Sequence, residues 1–242
     1  MQHSSQKFCS LIRDLAMAGA LGILIAALTA PAALAHHARH ARIEYQRRHE
    51  HHATAAHTAR GIDVSHYQGA INWRAVAHDH VSFAYIKATE GADTRDARFA
   101  RNWHGARSAG IRVGAYHYFN FCRSGRAQAA NFLAATPRSS ALPPAVDLEP
   151  PSRHCRVSGP AVRRELTTYL ARVEGRDGRR AVLYVTPGFY QAYHRYLPER
   201  PMWRRSISAR PAHGQSWTLW QYRMRGHVSG IHTDVDLNVS HA

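Results

Sequence analysis

The chain has 242 residues, which is enough for one large α/β domain after removal of a leader. It carries 32 Lys and Arg against 16 Asp and Glu, a formal net charge of +16 at pH 7. A surface of this sign favours anionic partners such as nucleic acid, acidic lipid or an acidic polymer, although general basicity and solubility explain it equally well. Because no aromatic-rich motif of the RRM kind occurs, we predict no nucleic-acid partner.

The first 35 residues have the pattern of an export signal. Lys7 and Arg13 precede a long uncharged run, which ends in a small-x-small cleavage site at 33–35. The apolar run is long for a signal, so an uncleaved membrane anchor is the alternative. Pro31 and the alanines weaken the run as a stable span and favour cleavage. The predicted location is therefore periplasmic or secreted, with no stable membrane insertion after cleavage.

Three cysteines occur, and Cys9 lies in the leader. The other two, Cys122 and Cys155, form an even pair in an exported chain, which favours a disulfide. Two unpaired thiols are the alternative.

Residues 36–60 are rich in His, Arg and Ala and show no apolar period. We interpret them as a disordered, solvated basic linker, because no metal-ligand spacing repeats among the histidines. The folded domain is predicted to begin at Gly61 and to extend to residue 242.

From Gly61 onward, strands and helices alternate. Strands are predicted at 61–68, 81–89, 112–119, 143–150, 180–186, 202–208, 217–222 and 235–240. Helices are predicted at 72–78, 96–109, 124–135, 158 to about 174, and 187–196. Ser124 and Ser158 are expected N-caps, and Gly110 is expected to follow the second helix. The last three strands have loops between them and little helix.

Repeated βα units with apolar strands indicate a largely parallel sheet that helices bury. Eight strands fit a closed barrel better than an open sheet. No Gly-rich phosphate loop follows the first strand, which argues against a dinucleotide-binding domain. The fold class is therefore predicted as α/β, an irregular TIM-like β/α barrel with fewer helices in its C-terminal half.

The active site of such a barrel lies at the C-terminal ends of its strands. Acids, amides and aromatic residues gather at these predicted ends, and this combination suits a sugar chain better than a phosphate group. The residues at the ends are Asp63, Ser65, His66, Tyr67, Gln68, Lys87, Thr89, Glu90, Tyr116, His117, Tyr118, Asp147, Glu149, Trp220, Gln221, Tyr222, Asp236 and Asn238. Those assigned to substrate binding are Tyr67, Glu90, Tyr116, Tyr118, Trp220, Gln221 and Tyr222.

Two acids lie two positions apart in the segment "PAVDLEP". On a strand, Asp147 and Glu149 point to the same face, with Cα atoms about 6.6 Å apart. Two close carboxylates repel, so one of them keeps its proton to higher pH. A protonated Glu can donate to a glycosidic oxygen, while an ionised neighbour stabilises positive charge at the anomeric carbon or orients a substrate group. A polar edge strand, or salt bridges to the arginines, is the alternative.

Asp63 and Asp236 belong to the first and last strands, which are neighbours only if the barrel closes. Each alone is compatible with a cap or turn residue, but with the pair they predict an acidic floor. No His lies at a recognisable ligand spacing, so neither a metal nor a cofactor is predicted. His117 lies on the strand face opposite Tyr116 and is predicted to be a packed residue rather than a base.

Six segments occur in an order and spacing that resemble glycoside hydrolase family 25, the Chalaropsis-type lysozymes (N-acetylmuramidases). They are "RGIDVSHYQGAINW", "FAYIKATEG", "GAYHYF", "PAVDLEP", "WQY" and "VDLN", and the resemblance covers residues 61–240. It implies an irregular, flattened β/α barrel and peptidoglycan glycan strands as the partner. The implied reaction is cleavage of the β-1,4 bond between N-acetylmuramic acid and N-acetylglucosamine.

The resemblance also implies roles for individual residues. Glu149 matches the general acid/base, and Asp147 matches the acid thought to position or stabilise the substrate's N-acetyl group. Asp63 and Asp236 match the other acids of the pocket. The resemblance implies retention of configuration, by a direct nucleophile or by substrate assistance.

Two alternatives to this enzyme stay open. One is a catalytically silent glycan-binding protein on the same fold, against which the four intact acids argue. The other is a hydrolase of a different amino-sugar polymer, such as a chitin-like chain.

Further expectations follow from the resemblance. Cys122 and Cys155 follow neighbouring strands of such a barrel, so we predict that they bridge two loops at its mouth, and a monomer is expected. The segment "PMWRRSISARP" departs from the tryptophan followed by Ile/Val-Ala of many members, so Arg204 and Arg205 are expected to alter one wall of the cleft. With no C-terminal wall-binding repeats, the basic surface is expected to attract anionic envelope polymers.

Overall fold

The structure is a computed structural model that describes residues 58–211 and 216–241. The predicted signal peptide (1–35), with Cys9, and the predicted linker up to residue 57 lie outside the described residues. Within the two described ranges, no helix is long and apolar enough to cross a membrane.

Nine strands and five α-helices follow one another along the described chain. The strands are β1 Thr58–Val64, β2 Phe83–Glu90, β3 Thr94–Arg95, β4 Arg112–Tyr118, β5 Ala145–Leu148, β6 Val182–Val185, β7 Met202–Arg205, β8 Leu219–Gly226 and β9 Val235–His241. The helices are α1 Trp73–His78, α2 Phe99–Ser108, α3 Gly125–Ala135, α4 Gly159–Asp177 and α5 Pro187–Tyr193, with 3-10 turns at His66–Gln68 and His194–Tyr196. Because β1 begins at Thr58, the last three residues of the predicted linker belong to a strand.

Eight of the strands close into a barrel in the order β1-β9-β8-β7-β6-β5-β4-β2, and β2 pairs again with β1. All neighbours are parallel except that β9 is antiparallel to both β8 and β1. The two-residue β3 only extends β2. The predicted α/β TIM-like barrel with reduced helices after α5 is confirmed. The direction of β9 is a correction, because the sequence alone suggested that the last strand also ends at the mouth.

Capping residues set the helix ends largely as predicted. The Ser124 side chain accepts a hydrogen bond from the Ala127 N–H at 3.4 Å, and Ser158 accepts one from the Ala161 N–H at 3.4 Å. These bonds satisfy amide groups that the first helical turn leaves without partners. α4 continues three residues beyond its predicted end, until Gly178 adopts a φ of 75° and stops it.

The second helix starts later than predicted because Asp96 serves another purpose. Its carboxylate accepts hydrogen bonds from the N–H of His66 and the N–H of Arg98, both at 2.9 Å. The His66 ring nitrogen Nδ1 also lies 2.7 Å from this carboxylate. Asp96 therefore ties the turn after β1 to the loop before α2, and the helix begins at Phe99.

Successive side chains of each strand point alternately into the barrel and out toward the helices, which produces two apolar layers. The barrel interior holds Phe83, Tyr85, Leu142, Ala145, Val182, Tyr184, Trp203 and Leu219. The larger layer lies between barrel and helices and includes Ile62, Trp103, Phe132, Val146, Leu166, Tyr169, Leu183 and Phe189. Large aromatic rings fill much of the interior, and a cleft opens above them at the mouth.

A disulfide joins Cys122 and Cys155, with Cα atoms 5.7 Å apart. Cys122 lies in the loop between β4 and α3, and Cys155 lies between β5 and α4. The predicted bridge between two loops at the mouth is confirmed. It closes a loop across a sequence separation of 33 residues, which by chain entropy is worth about 3–4 kcal/mol.

We expect the double variant Cys122→Ser/Cys155→Ser to lose about 3 kcal/mol of unfolding free energy, because its unfolded chain regains that loop entropy. Urea titration of the two proteins measures the difference. The variant Ser152→Ala, in the same loop, is the matched control, and its unfolding free energy should change far less than that of the double variant. Titration of two reactive thiols per folded wild-type molecule would contradict the bridge.

Candidate active site

A cleft of about 270 Å³ opens at the C-terminal end of the parallel strands. Four acids, five aromatic residues and one lysine contribute to its wall, so it is both charged and able to stack on flat groups. Its lining residues are Asp63, Val64, Ser65, Tyr67, Gln68, Lys87, Tyr116, Tyr118, Asp147, Glu149, Tyr184, Trp203 and Asp236.

Strand register brings the four acids together. Asp63 on β1 is paired directly with Asp236 on β9. Because β9 is antiparallel, its second residue lies at the mouth, whereas a parallel strand would have placed it at the opposite end. Asp147 on β5 lies between Tyr118 of β4 and Tyr184 of β6, and Glu149 is the first residue after the strand.

Asp63 is held by two amide side chains. Its Oδ2 accepts hydrogen bonds from Asn238 Nδ2 at 2.8 Å and from Gln221 Nε2 at 3.2 Å. Each amide is oriented by an aromatic donor, since Trp203 Nε1 donates to Asn238 Oδ1 and the Tyr184 hydroxyl donates to Gln221 Oε1, both at 2.8 Å. An indole N–H can only donate, so it turns the amide oxygen of Asn238 toward itself and the NH₂ group toward Asp63.

Asp63 and Asp236 share a proton unequally. Burial raises the pKa of Asp63 to about 6, although the hydrogen bonds from Asn238 and Gln221 oppose the rise. Burial, followed by the charge of Asp63, raises the pKa of Asp236 to about 8. The two carboxyl groups are hydrogen-bonded, so near neutral pH Asp236 keeps the proton and donates it to ionised Asp63.

The pair Asp147 and Glu149 is also held toward its protonated form. Burial raises the pKa of Asp147 well above its usual range, and the charges of Glu149 and Asp63 add to the effect. Burial raises the pKa of Glu149 as well, while Arg205 and Lys87 oppose it. Asp147 Oδ1 is shielded from solvent and has no hydrogen-bond partner among the described residues. A buried oxygen without a partner at the wall of a cleft is positioned to accept a bond from a ligand.

A lysine crosses from β2 toward these acids. Lys87 Nζ donates to Glu90 Oε2 at 2.6 Å and lies 5.1 Å from the ring centroid of Tyr118. Glu90 itself does not line the cleft, and its side chain is 44% exposed. Glu90 is therefore the partner that orients Lys87, and its assignment to substrate binding stays a prediction.

The predicted aromatic residues divide between two faces. Tyr116 and Tyr118 line the cleft, and Tyr67 lies at its rim with 74% of its surface exposed. Trp220 and Tyr222 lie on the outer face of β8 and do not line this cleft, so their assignment to substrate binding stays a prediction. The physical reason is strand alternation about Gln221, which is buried and bonded to Asp63. Trp220 Nε1 donates instead to the Ser206 carbonyl at 2.8 Å.

Sequence reasoning did not assign Tyr184 and Trp203 to the site. Tyr184 occurs in "VLYV", which has the pattern of ordinary apolar core, and Trp203 occurs in "MWRR", where the two arginines were the residues expected to reach the cleft. The register of β6 supplies the missing signal, because Tyr184 pairs with Asp147 and therefore shares its inward face. Asn238 was noted at a strand end but not given its role of holding Asp63.

His117 lies outside the cleft, as predicted. It is fully buried under the helices, with Nδ1 2.7 Å from Thr89 Oγ1 and Nε2 3.1 Å from Gln128 Oε1. Burial lowers its pKa to about 4, so the ring is neutral at pH 7. Among the residues that the structure describes, no group of three or more His, Cys, Asp or Glu is arranged to hold a metal ion.

Comparison with known proteins matches this architecture to one family. The family model described as "Glycosyl hydrolases family 25" matches residues 62–231. "Lysozyme M1" of Streptomyces globisporus is 37% identical over 194 residues, which cover 74% of this chain and 66% of the relative. "Uncharacterized protein YegX" of Escherichia coli K12 is 38% identical over 194 residues, which cover 76% of this chain and 70% of the relative.

Two solved structures share the fold and more than a third of the aligned sequence. A family 25 glycosyl hydrolase from Bacillus anthracis superposes with a TM-score of 0.71 at 36% identity, covering 76% of this chain and 88% of the other. The bacterial lysozyme from Streptomyces coelicolor gives 0.70 at 35% identity, covering 78% and 94%. With the acid-lined cleft at the mouth of the same barrel, these matches establish that the chain belongs to glycosyl hydrolases family 25 and is a glycoside hydrolase.

Proposed function

We propose that this chain is an exported lysozyme that hydrolyses the β-1,4 bond between N-acetylmuramic acid and N-acetylglucosamine in peptidoglycan. The observation that carries the proposal is the convergence of Asp147 and Glu149 in one cleft, with both carboxyl pKa values raised by burial. The similarity to proteins named as lysozymes supplies the substrate class.

Glu149 is proposed as the general acid/base. It follows β5 at the open end of the barrel, and burial raises its pKa, which favours the protonated form that can donate to the glycosidic oxygen. Lys87 and Arg205 lower this pKa in part, so the acid also gives up its proton readily. After cleavage the same carboxylate can accept a proton from the attacking water.

Asp147 is proposed to orient and stabilise the N-acetyl group of the substrate. Its Oδ1 lacks a partner among the described residues and lies at the cleft wall, where an acetamido N–H would supply one. A donor of this kind favours the ionised carboxylate, so substrate binding lowers the pKa of Asp147 where it is needed. Asp63, kept ionised by Asn238 and Gln221, adds negative charge to the floor beneath the sugar.

Export is part of the proposal. The Cys122–Cys155 bridge fits an oxidising compartment such as the periplasm or the exterior, where disulfides persist. The predicted signal peptide at residues 1–35 would deliver the chain there.

The basic surface is proposed to hold the enzyme near the anionic polymers of the envelope. The two bridged loops and the start of α3 carry exposed arginines close to the mouth, namely Arg123, Arg126, Arg153 and Arg156. Positive charge around a mouth concentrates anionic material there.

We expect Glu149→Gln to lower kcat on purified peptidoglycan by about 10²–10⁴-fold, because an amide cannot donate the acid proton. Release of muramic-acid reducing ends measures the effect. Glu199→Gln, the same change at an exposed residue before β7, is the matched control and should leave activity intact. Wild-type protein that binds peptidoglycan without cleaving it would support the silent binding protein instead, and cleavage of chitin-like chains alone would support the other hydrolase.

We expect the pH profile of kcat/KM to be bell-shaped. Activity should fall on the acid side as Asp63, with its pKa of about 6, gains a proton, and on the alkaline side as the protonated acids, Asp236 at about 8 among them, lose theirs. Asn238→Leu removes a hydrogen bond that lowers the pKa of Asp63, so its acid limb should move to higher pH. An acid limb that stays in place in a folded Asn238→Leu protein would contradict this role of Asp63.

We expect binding to purified sacculi to weaken as salt is raised, because the screening length falls from about 10 Å at 0.1 M to about 3 Å at 1 M. Pull-down with sacculi stripped of their anionic polymers is the comparison and should show a smaller salt effect. Binding that persists unchanged at high salt would contradict attraction by the basic surface.

A further inference from the structure

A second cavity, of about 390 Å³, lies beside the cleft but outside the barrel wall. It is formed between the end of β6, the helix α5 that follows it, and the end of β7. Because these are C-terminal ends of parallel strands, the cavity opens on the same side of the molecule as the cleft. Its wall includes Thr186, Tyr190, His194, Arg204, Arg205 and Ser206. We call it the Arg204 pocket.

Arg204 reaches this pocket because of strand alternation on β7. Trp203 points into the barrel, so Arg204 points outward. Arg204 was predicted to alter a wall of the cleft, and this is corrected here, because Arg204 lines the neighbouring pocket instead. Its guanidinium carbon lies 4.1 Å from the ring centroid of Tyr190, and its Nε donates to the Ser216 carbonyl at 3.3 Å.

Among the residues that the structure describes, no carboxylate pairs with the charge of Arg204. The residue is only 8% exposed. Residues 212–215, "AHGQ", contain no Asp or Glu that could serve. A buried charge without a partner is costly, and contact with the Tyr190 ring offsets only part of that cost. A guanidinium stacked on a ring still presents the edge of its plane to an anion.

The pocket adjoins the reacting acids. Arg205 lines the pocket, and its charge also lowers the pKa of Glu149. On the other side, the start of α5 lies against the segment that follows Glu149, since a Cβ added at Gly188 would be 3.7 Å from Pro150 Cγ. A substituent on a sugar bound beside Glu149 therefore has a short path to Arg204.

We propose that the Arg204 pocket binds an anionic oxygen group of the substrate, namely a carboxylate of the peptide stem attached to the muramic acid. This inference rests on the proposed function. A planar guanidinium edge pairs with a carboxylate through two parallel hydrogen bonds. The Thr186 hydroxyl can donate to the carboxylate, because in the structure its oxygen accepts from the Phe189 N–H. Val185 and Pro187 offer apolar surface for the rest of an amino acid. A phosphate polymer would instead favour an open groove with a row of cations.

The test compares soluble glycan strands that carry stem peptides with the same strands after an amidase has removed the stems. Wild-type enzyme should cleave the stem-bearing strands with about tenfold higher kcat/KM, mainly through a lower KM, which is the effect of one charge-assisted contact. Arg204→Met keeps the length of the side chain but removes its charge, so this variant should lose the preference. Arg107→Met removes an exposed arginine near the opposite end of the barrel and should keep it.

Two further measurements keep the inference falsifiable if Arg204→Met folds poorly or if no cleavage is seen. Arg204→Lys retains the charge without the planar fork and should keep only part of the preference. Calorimetry with a free stem peptide reads binding without catalysis, and this binding should weaken about tenfold in Arg204→Met and not in Arg107→Met.

The inference is overturned if wild-type enzyme shows no preference for stems, if Arg204→Met retains it, or if only poly(glycerol phosphate) binds in an Arg204-dependent manner. Failure of the proposed function looks different, because wild-type enzyme then releases no muramic-acid reducing ends from either glycan. In that case the calorimetry still decides whether the pocket takes the peptide carboxylate.

Discussion

Closure of the barrel at β1 is the constraint on which the site depends. β1 pairs with β2 on one side and with β9 on the other, so the first and last strands of the domain meet. This closure places Asp63 opposite Asp236, and it brings Asn238 of β9 and Gln221 of β8 within hydrogen-bond distance of Asp63. An open sheet would leave β1 and β9 as distant edges, and the four acids would not share a cleft.

The four clustered acids make the folded state less stable as the pH rises. Asp63 and Asp236 have folded-state pKa values of about 6 and about 8, above the ordinary value of 3.8. The folded state therefore binds these protons more tightly than the unfolded chain does. Their contribution to stability is fully present below about pH 4 and is lost progressively as the pH rises toward 8. The extensive apolar layer and the Cys122–Cys155 bridge offset this loss, so the folded domain tolerates an acidic floor that is costly to its stability.

Much of the fold and part of the site were predictable because successive side chains of a strand point to opposite faces of the sheet. This alternation is a strong local rule that can be read from the sequence. The same-face argument placed Asp147 and Glu149 together, and both line the cleft. The same rule places Trp220 and Tyr222 on the outer face of β8 once Gln221 is known to face inward, since neighbours on a strand cannot share a face. They were assigned to substrate binding because they are aromatic, without regard to the face of the strand on which they lie.

Other features depended on pairings that no local pattern contains. Asp236 was expected at the mouth as the end of a parallel strand, whereas it lies there because β9 is antiparallel. Tyr184 and Trp203 belong to strands whose sequences do not mark them as site residues, and their roles follow from the register of β6 and β7. The direction of a final strand and the register between strands are set by long-range contacts, which a single sequence does not display.

The alternation of side chains on β7 also lets one strand contribute to two sites. Along β7, Trp203 turns inward and orients Asn238, while Arg204 turns outward into the neighbouring pocket. Arg205 lies at the border, where its charge acts on Glu149. A change at Arg204 can therefore alter what lies beside the glycan without moving the acids, because the strand backbone and Trp203 keep the network around Asp63 in place. Two adjacent residues of β7 therefore have different roles: Trp203 supports the acids that act on the glycosidic bond, and Arg204 faces the pocket proposed to bind a substituent.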